Sequence, residues 1–218
     1  DPENIQIQRD LGNALYNLGL VSQSTAASQE ATQYLTQSVS IRERLVATDP
    51  DSLQDQHALS IAYEALGNVQ LKLKLASEAL ALYQKCLTIR ERLAESSPAG
   101  AAARRNVSVT LEQMGNAYLQ FGAVEEALKR YRECHALREQ LAKNNPANGQ
   151  ALRDLMVANF KLGEAQRQKF AYAAAAHRYR DSVAVLDRMI AAGQLVKQSQ
   201  RERAVIAQRA EAAAMAEV

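Results

Sequence analysis

The chain repeats itself every 48 residues, and that period limits what it can fold into more than any other feature. Leu18-Gly19, Leu66-Gly67, Met114-Gly115 and Leu162-Gly163 stand 48 positions apart, as do Asp1-Pro2, Asp49-Pro50, Ser97-Pro98 and Asn145-Pro146. The string Ile-Arg-Glu-Arg-Leu at 41–45 and 89–93 becomes Leu-Arg-Glu-Gln-Leu at 137–141, with 185–189 as a worn fourth copy. Independent markers in one register imply a unit stacked four times, over residues 1–48, 49–96, 97–144 and 145–192. Each unit would bury its apolar face on its neighbours.

The unit is helical. Among 218 residues there are only four prolines and nine glycines, no tryptophan, and 47% hydrophobic residues rich in alanine and leucine, which favours helix and supplies a core. Twelve residues after each glycine stands Ala31, Ala79, Ala127 or Ala175; four later comes Leu35, Tyr83, Tyr131 or Tyr179; three later again comes Ser38, Cys86, Cys134 or Ser182. Steps of four and three hold these columns on one helical face.

The order leucine-glycine, alanine, aromatic, small, proline resembles the tetratricopeptide repeat, a helix-turn-helix unit in which small residues let paired helices approach closely. The resemblance covers about residues 1–192. It implies an all-α, right-handed alpha-alpha superhelix, a solenoid whose helix A lines a concave surface. Two departures matter. The bulky column four residues before the glycine, usually tryptophan in the family, holds Leu15, Tyr63, Leu111 and a polar Asn159. The period also exceeds the standard unit of about 34 residues. Measured against the family spacing, seven residues are added to the end of helix B and seven to the start of helix A. Those ends meet at the inter-repeat turn, so both helices lengthen together by about two turns, as in the elongated repeats of kinesin light chains and many bacterial signalling proteins.

The spacing predicts helix A segments over 3–23, 51–73, 99–121 and 147–169, and helix B segments over 27–47, 76–96, 124–144 and 172–191. Asp49, Ser97 and Asn145, each before a proline, suit N-caps. Gly122 suits the end of the third helix A, where Lys74 and Phe170 stand in neighbouring repeats. After Gly193 the leucine-glycine and alanine columns stop, and 193–218 reads as a separate amphipathic capping helix. The N-terminus starts in phase with no such cap, an expectation of more repeats or another domain upstream.

Chemistry-bearing residues are sparse. Cys86 and Cys134 share one column without a ligand partner, and His57, His135 and His177 sit apart in the register with no nucleophile to match. Single glycines at the repeat spacing cannot cradle a phosphate. The expectation is therefore no catalysis, no metal and no cofactor. The net charge of +2 hides 8 Lys/Arg against 12 Asp/Glu over 1–96 and 18 against 12 over 97–218, too weakly basic to propose nucleic acid. No apolar run reaches a bilayer's thickness; the compartment stays unassigned, with cytoplasm favoured. The Arg-Glu-Arg runs at 42–44 and 90–92 read as a solvated side of helix B.

What the resemblance leaves for binding is the inner face of helix A, at columns one after the glycine and three, six and ten before it. These read Leu20, Asn68, Asn116, Glu164; Tyr16, Glu64, Glu112, Phe160; Asn13, Ile61, Val109, Val157; and Arg9, His57, Arg105, Arg153. The expectation is a protein-protein interaction scaffold in which a partner peptide or domain lies in this groove, its carboxylates towards Arg105 and Arg153. Solvation or internal pairing of the same arginines is the alternative reading. At the level of the whole protein the rivals are a regulatory region of a larger bacterial enzyme such as a Ser/Thr kinase or protease, and self-association through the N-terminal end.

Overall fold

The computed structural model describes residues 4–25, 27–96, 100–193 and 198–216. Among them the chain is all-α: α1 (Ile5–Ser24), α2 (Ser28–Thr48), α3 (Leu53–Lys72), α4 (Ala76–Ser96), α5 (Ala101–Gln120), α6 (Val124–Asn144), α7 (Gly149–Gln168), α8 (Tyr172–Ala191) and α9 (Gln198–Met215). Odd-numbered helices take the helix A place and even-numbered ones the helix B place. All eight repeat helices have 20 or 21 residues, the length that the seven-plus-seven extension predicts.

Two compact units divide the chain after Phe121. In the first, α1 packs on α2, α2 on α3, α3 on α4 and α4 on α5; in the second, α6 packs on α7, α7 on α8 and α8 on α9. Each is a row of antiparallel neighbours, the tetratricopeptide arrangement, with α9 covering the outer side of α8.

The repeat columns explain the close packing. A Cβ on Gly19 would lie 2.5 Å from Leu35 Cγ, and on Gly67 or Gly163 it would lie 2.7 Å from the ring of Tyr83 or Tyr179. Those partners are fully buried, so helices A and B touch where only a glycine fits. The small column has a second role: Ser38 Oγ, Cys86 Sγ and Ser182 Oγ donate to the backbone carbonyls of Gly12, Ser60 and Met156 at 2.8, 3.2 and 3.0 Å. Cys86 thus stands in for a serine, and burial pushes its thiol pKa up.

The caps differ from the sequence expectation. Asp49 and Asn145 do not open α3 and α7; they close α2 and α6, their N–H groups donating to Leu45 and Leu141. A residue before proline is driven out of the helical region, and Asp49 is extended at φ −133°. A turn with proline second follows, closed by Ser52 N–H to Asp49 C=O at 3.3 Å and Asn148 N–H to Asn145 C=O at 3.1 Å. The N-caps are Asn4, Ser52 and Asn148, whose side chains accept from the first-turn amides. Ser97 lies outside the described residues and is not the cap of α5 either: that helix starts from Gly100, which has no side chain to accept.

At the A-to-B turn, Lys74, Gly122 and Phe170 hold one column and all have positive φ, 66°, 81° and 61°. Leu75 N–H to Gln70 C=O and Ala171 N–H to Gln166 C=O, both 2.9 Å, close the turns around the two non-glycine residues.

Helix α9 keeps one column of the repeat although the leucine-glycine column has stopped. Ile206, Ala210 and Ala213 are the buried residues of α9, and they fall 48 positions after Ala158, Leu162 and Ala165, the buried stripe of α7. The cap is a helix A worn down in its other columns.

Candidate functional site

The inner columns of the first unit sit on α1, α3 and α5. In the basic row, Arg9 is turned to its neighbour helix: its Nε and Nη2 donate to Asp55 Oδ1 and Oδ2 at 2.9 and 2.7 Å. Asp55 is buried and also accepts from Ser52 Oγ at 2.7 Å. The Arg9 guanidinium holds this carboxyl below the usual carboxylate range, against the opposing effect of burial. His57 is exposed and, with Arg90, Leu93, Ala102, Ala103 and Asn106, lines a recess of about 230 Å³. Arg105 is half-buried on α5.

The remaining rows stay partly open. Asn13 is exposed, and Ile61, Val109, Tyr16, Glu64, Glu112, Asn68 and Asn116 are half-buried. Tyr16 lies under the Arg42 guanidinium, 5.7 Å from ring centroid to Cζ. Glu64 pairs with Arg90. Asn68 Oδ1 accepts from the hydroxyl of the buried Tyr83 at 2.7 Å, which leaves the amide Nδ2 with its two donors. Asn116 Nδ2 donates to Gln113 Oε1 at 3.2 Å.

In the second unit the same columns lie beside α9. Arg153 faces Glu202 at 3.5 Å. The Phe160 ring sits 5.7 Å from that of Tyr179, with the Arg209 guanidinium 5.2 Å above it. Glu164 accepts from both the Tyr179 hydroxyl and Arg209, with Arg167 at 3.7 Å. Burial opposes the Glu164 carboxylate, yet the hydrogen bonds from Arg209 and Tyr179 outweigh it and hold its pKa down. Burial, with Glu164, pushes the Tyr179 hydroxyl up to about 12. Arg201 and Val205, both exposed, extend the basic and apolar rows onto α9. Reasoning from sequence missed them because it stopped the register at Gly193; the step of 48 from Arg153 and Val157 would have found them.

The larger correction concerns helix B. Arg42 and Arg90 are buried, not solvated, as is Arg138 in the same column, while Arg44 and Arg92 are the exposed members of their runs. Two residues apart on a helix means opposite sides. Arg42 donates to Ser38 Oγ and Asn13 Oδ1 at 3.1 and 2.8 Å. Arg90 donates to Thr110 Oγ1 and Asn106 C=O at 2.8 and 3.1 Å, and Arg138 donates to Asp154 C=O at 3.1 Å. The signal was present: Ala31, Leu35, Ser38 and Arg42 continue the core spacing of four, three and four.

Among the described residues no cluster of three or more His, Cys, Asp or Glu could hold a metal ion, and no helix is long and apolar enough to cross a membrane.

A family model described as tetratricopeptide repeat matches residues 61–98 and 107–147. No curated protein matches the chain. Among solved structures, the apo form of RapI is similar with a TM-score of 0.64 at 10% identity, over 91% of this chain and 67% of that one. BtubC (BKLC) from P. vanneervenii is similar with a TM-score of 0.54 at 13% identity, over 98% of this chain and 88% of that one. At such identities the likeness is one of fold.

Proposed function

Since residues 61–98 and 107–147 match the tetratricopeptide repeat, a class that generally mediates protein-protein interaction, we propose that the chain binds an extended segment of a partner protein along the inner columns of its A helices. The observation that carries this is the contrast between columns. On α3, Leu59, Ala62, Leu66 and Val69 are buried, whereas Ile61, Glu64 and Asn68 on the adjoining face stay partly exposed and His57 is exposed.

Asn68 carries the recognition. With Oδ1 engaged by Tyr83, its Nδ2 donates to a backbone carbonyl of an extended chain without selecting a side chain. Asn116 stands in the same column one step along, with its Nδ2 already donating to Gln113 Oε1. In the first unit acidic side chains of the partner lie towards Arg105 while Ile61 and Val109 take apolar ones; the second unit offers Arg153, beside Glu202, and Val157 in the same columns. Arg9 contributes least, because Asp55 already takes its Nε and Nη2 donors. Tyr16, Glu112 and Phe160 set the walls of the row. Preformed helices spare the partner's binding energy the cost of ordering the site.

The test is a random linear-peptide library displayed on phage and selected on the intact protein. Peptides enriched by the wild type and lost on the Asn68→Ala, Arg105→Ala, Asn116→Ala variant, with helix content unchanged, support the proposal. Equal recovery on both proteins removes it.

A further inference from the structure

In the first unit the contact between neighbouring A helices is made in two different ways. Between α1 and α3, Arg9 donates twice to Asp55, which also accepts from Ser52 Oγ. Forty-eight residues on, between α3 and α5, the places of Arg9, Ser52 and Asp55 are held by His57, Gly100 and Ala103. The carboxylate, the fork that grips it and the hydroxyl donor are all replaced in one step. At that point of the fold lies the recess of about 230 Å³ lined by His57, Arg90, Leu93, Ala102, Ala103 and Asn106. One water takes about 30 Å³ in the liquid, so the recess has room for the end of a side chain.

The residues around it are donors. Arg90 is 4% exposed; its Nη groups serve Glu64, Thr110 Oγ1 and the Asn106 carbonyl, while its Nε has no acceptor among the described residues. The repeat shows why. Arg42 Nε donates to Ser38 Oγ at 3.1 Å, but the next repeat has Cys86 in that column, whose Sγ donates to the Ser60 carbonyl and is a weak acceptor. The His57 ring and the Asn106 side-chain amide add N–H donors, and none of the described residues that line the recess is an acid.

Resting on the groove reading above, we propose that this recess takes the carboxylate of an aspartate or glutamate side chain of the bound segment, in the place that Asp55 fills one repeat earlier. The chain itself supplies the template, since the same position in the preceding contact holds a carboxylate. Beyond the Arg9 hydrogen bond, which dominates, and against burial, the charge of Arg42 also lowers the Asp55 pKa. Arg90 is the counterpart of Arg42 beside the recess. Glu64 already offsets part of the Arg90 charge, so one carboxylate suits the balance better than a doubly charged phosphate.

Titration of the intact protein with blocked glutamate (acetyl-Glu-amide), followed by NMR at the His57 ring and the Asn106 side-chain amide, reads the recess without a partner. Saturable shifts are expected with blocked glutamate and none with blocked glutamine. Ala103→Asp copies Asp55 in the first turn of α5 and is expected to abolish the shifts while circular dichroism stays helical. His57→Arg restores the guanidinium that the other three repeats carry in this column and is expected to tighten binding by up to about fivefold. Peptides selected from the phage library on the wild type should carry Asp or Glu at one fixed position and lose that preference on Ala103→Asp. No shift, equal shifts with blocked glutamine, or selected peptides without an acidic position overturn the proposal. Tighter binding of inorganic phosphate than of blocked glutamate overturns the choice of carboxylate. Equal peptide recovery on the wild type and the Asn68, Arg105, Asn116 variant, with the blocked-glutamate shifts intact, removes the groove reading and leaves the carboxylate site standing.

Discussion

The hydroxyl of Tyr83 donates to Oδ1 of Asn68, fifteen residues earlier, across 2.7 Å, and this bond links the buried core of the first unit to its inner face. Tyr179 and Glu164 repeat the relationship in the second unit. In the first repeat the buried residue is Leu35, which has nothing to donate, and the column of Asn68 holds Leu20. Tyr83→Phe removes one partly buried hydrogen bond and is expected to cost about 1 kcal/mol in urea unfolding. The change in NMR signals should centre on the Asn68 side-chain amide, freed to rotate, with the rest of the inner face undisturbed.

Gly67→Ala gains about 1 kcal/mol of helix propensity in principle, but its Cβ would stand 2.7 Å from Tyr83 Cε1 in a ring that is fully buried. Overpacking of this kind costs about 1–3 kcal/mol and wins, because a tyrosine walled in on every side has no rotamer to retreat to. Thermal unfolding of the variant is expected several degrees below the wild type. Gly12→Ala is the control: its Cβ would find nothing nearer than 3.6 Å.

Lys74 and Phe170 have positive φ where the third repeat has Gly122. A left-handed conformation costs an ordinary residue about 1–2 kcal/mol, and glycine returns part of that by its freedom in the unfolded chain. Lys74→Gly and Phe170→Gly are each expected to stabilise by about 0.5–1 kcal/mol, read from the urea midpoint at constant slope.

Much of this architecture was legible because the period places every column four times over. Helix number, the added two turns and the core columns follow from positions such as Gly67 and Tyr83, which must meet wherever their neighbours lie. The errors came where one residue type serves two purposes. Asp49 before Pro50 looks like a helix start, yet proline's demand on its predecessor makes Asp49 a helix end and hands the cap to Ser52. Arg90 looks solvated by its charge, yet its place four residues after Cys86 puts it in the core, where Glu64 and Thr110 accept from its two Nη groups. Pairings such as Arg9 with Asp55 depend on rotamers between repeats, which no column records.

The Arg9–Asp55 pair makes stability depend on pH in one direction. The folded-state pKa of Asp55 is depressed below 3.8, so its contribution is complete above the unfolded value and is lost as pH falls through the folded one. Arg9→Met is therefore expected to lower the urea midpoint at neutral pH, and the gap to the wild type should close as pH drops below 3.8. A gap that stays constant down to that range would assign the effect to packing of the arginine stem.

Columns 16 and 42 of the first repeat recur as matched pairs. Tyr16 lies under Arg42, Glu64 pairs with Arg90, and in the fourth repeat Phe160 packs against the core that contains Leu186. The pair is ionic in the second repeat and apolar at both positions in the fourth. Breaking a buried ion pair from one side costs about 3–5 kcal/mol, while replacing both partners by well-packed apolar groups can be nearly neutral. Arg90→Leu strands Glu64 and leaves Thr110 without its donor, and is expected near the lower end of that range because Glu64 is only half-buried. Glu64→Phe strands a cation that is almost wholly enclosed and should cost more. The double variant, which copies the fourth repeat, is expected to recover at least half of the summed loss, whereas Arg92→Ala on the exposed side should shift unfolding by less than about 0.5 kcal/mol. Strict additivity in this cycle would show that the two columns do not act as a pair.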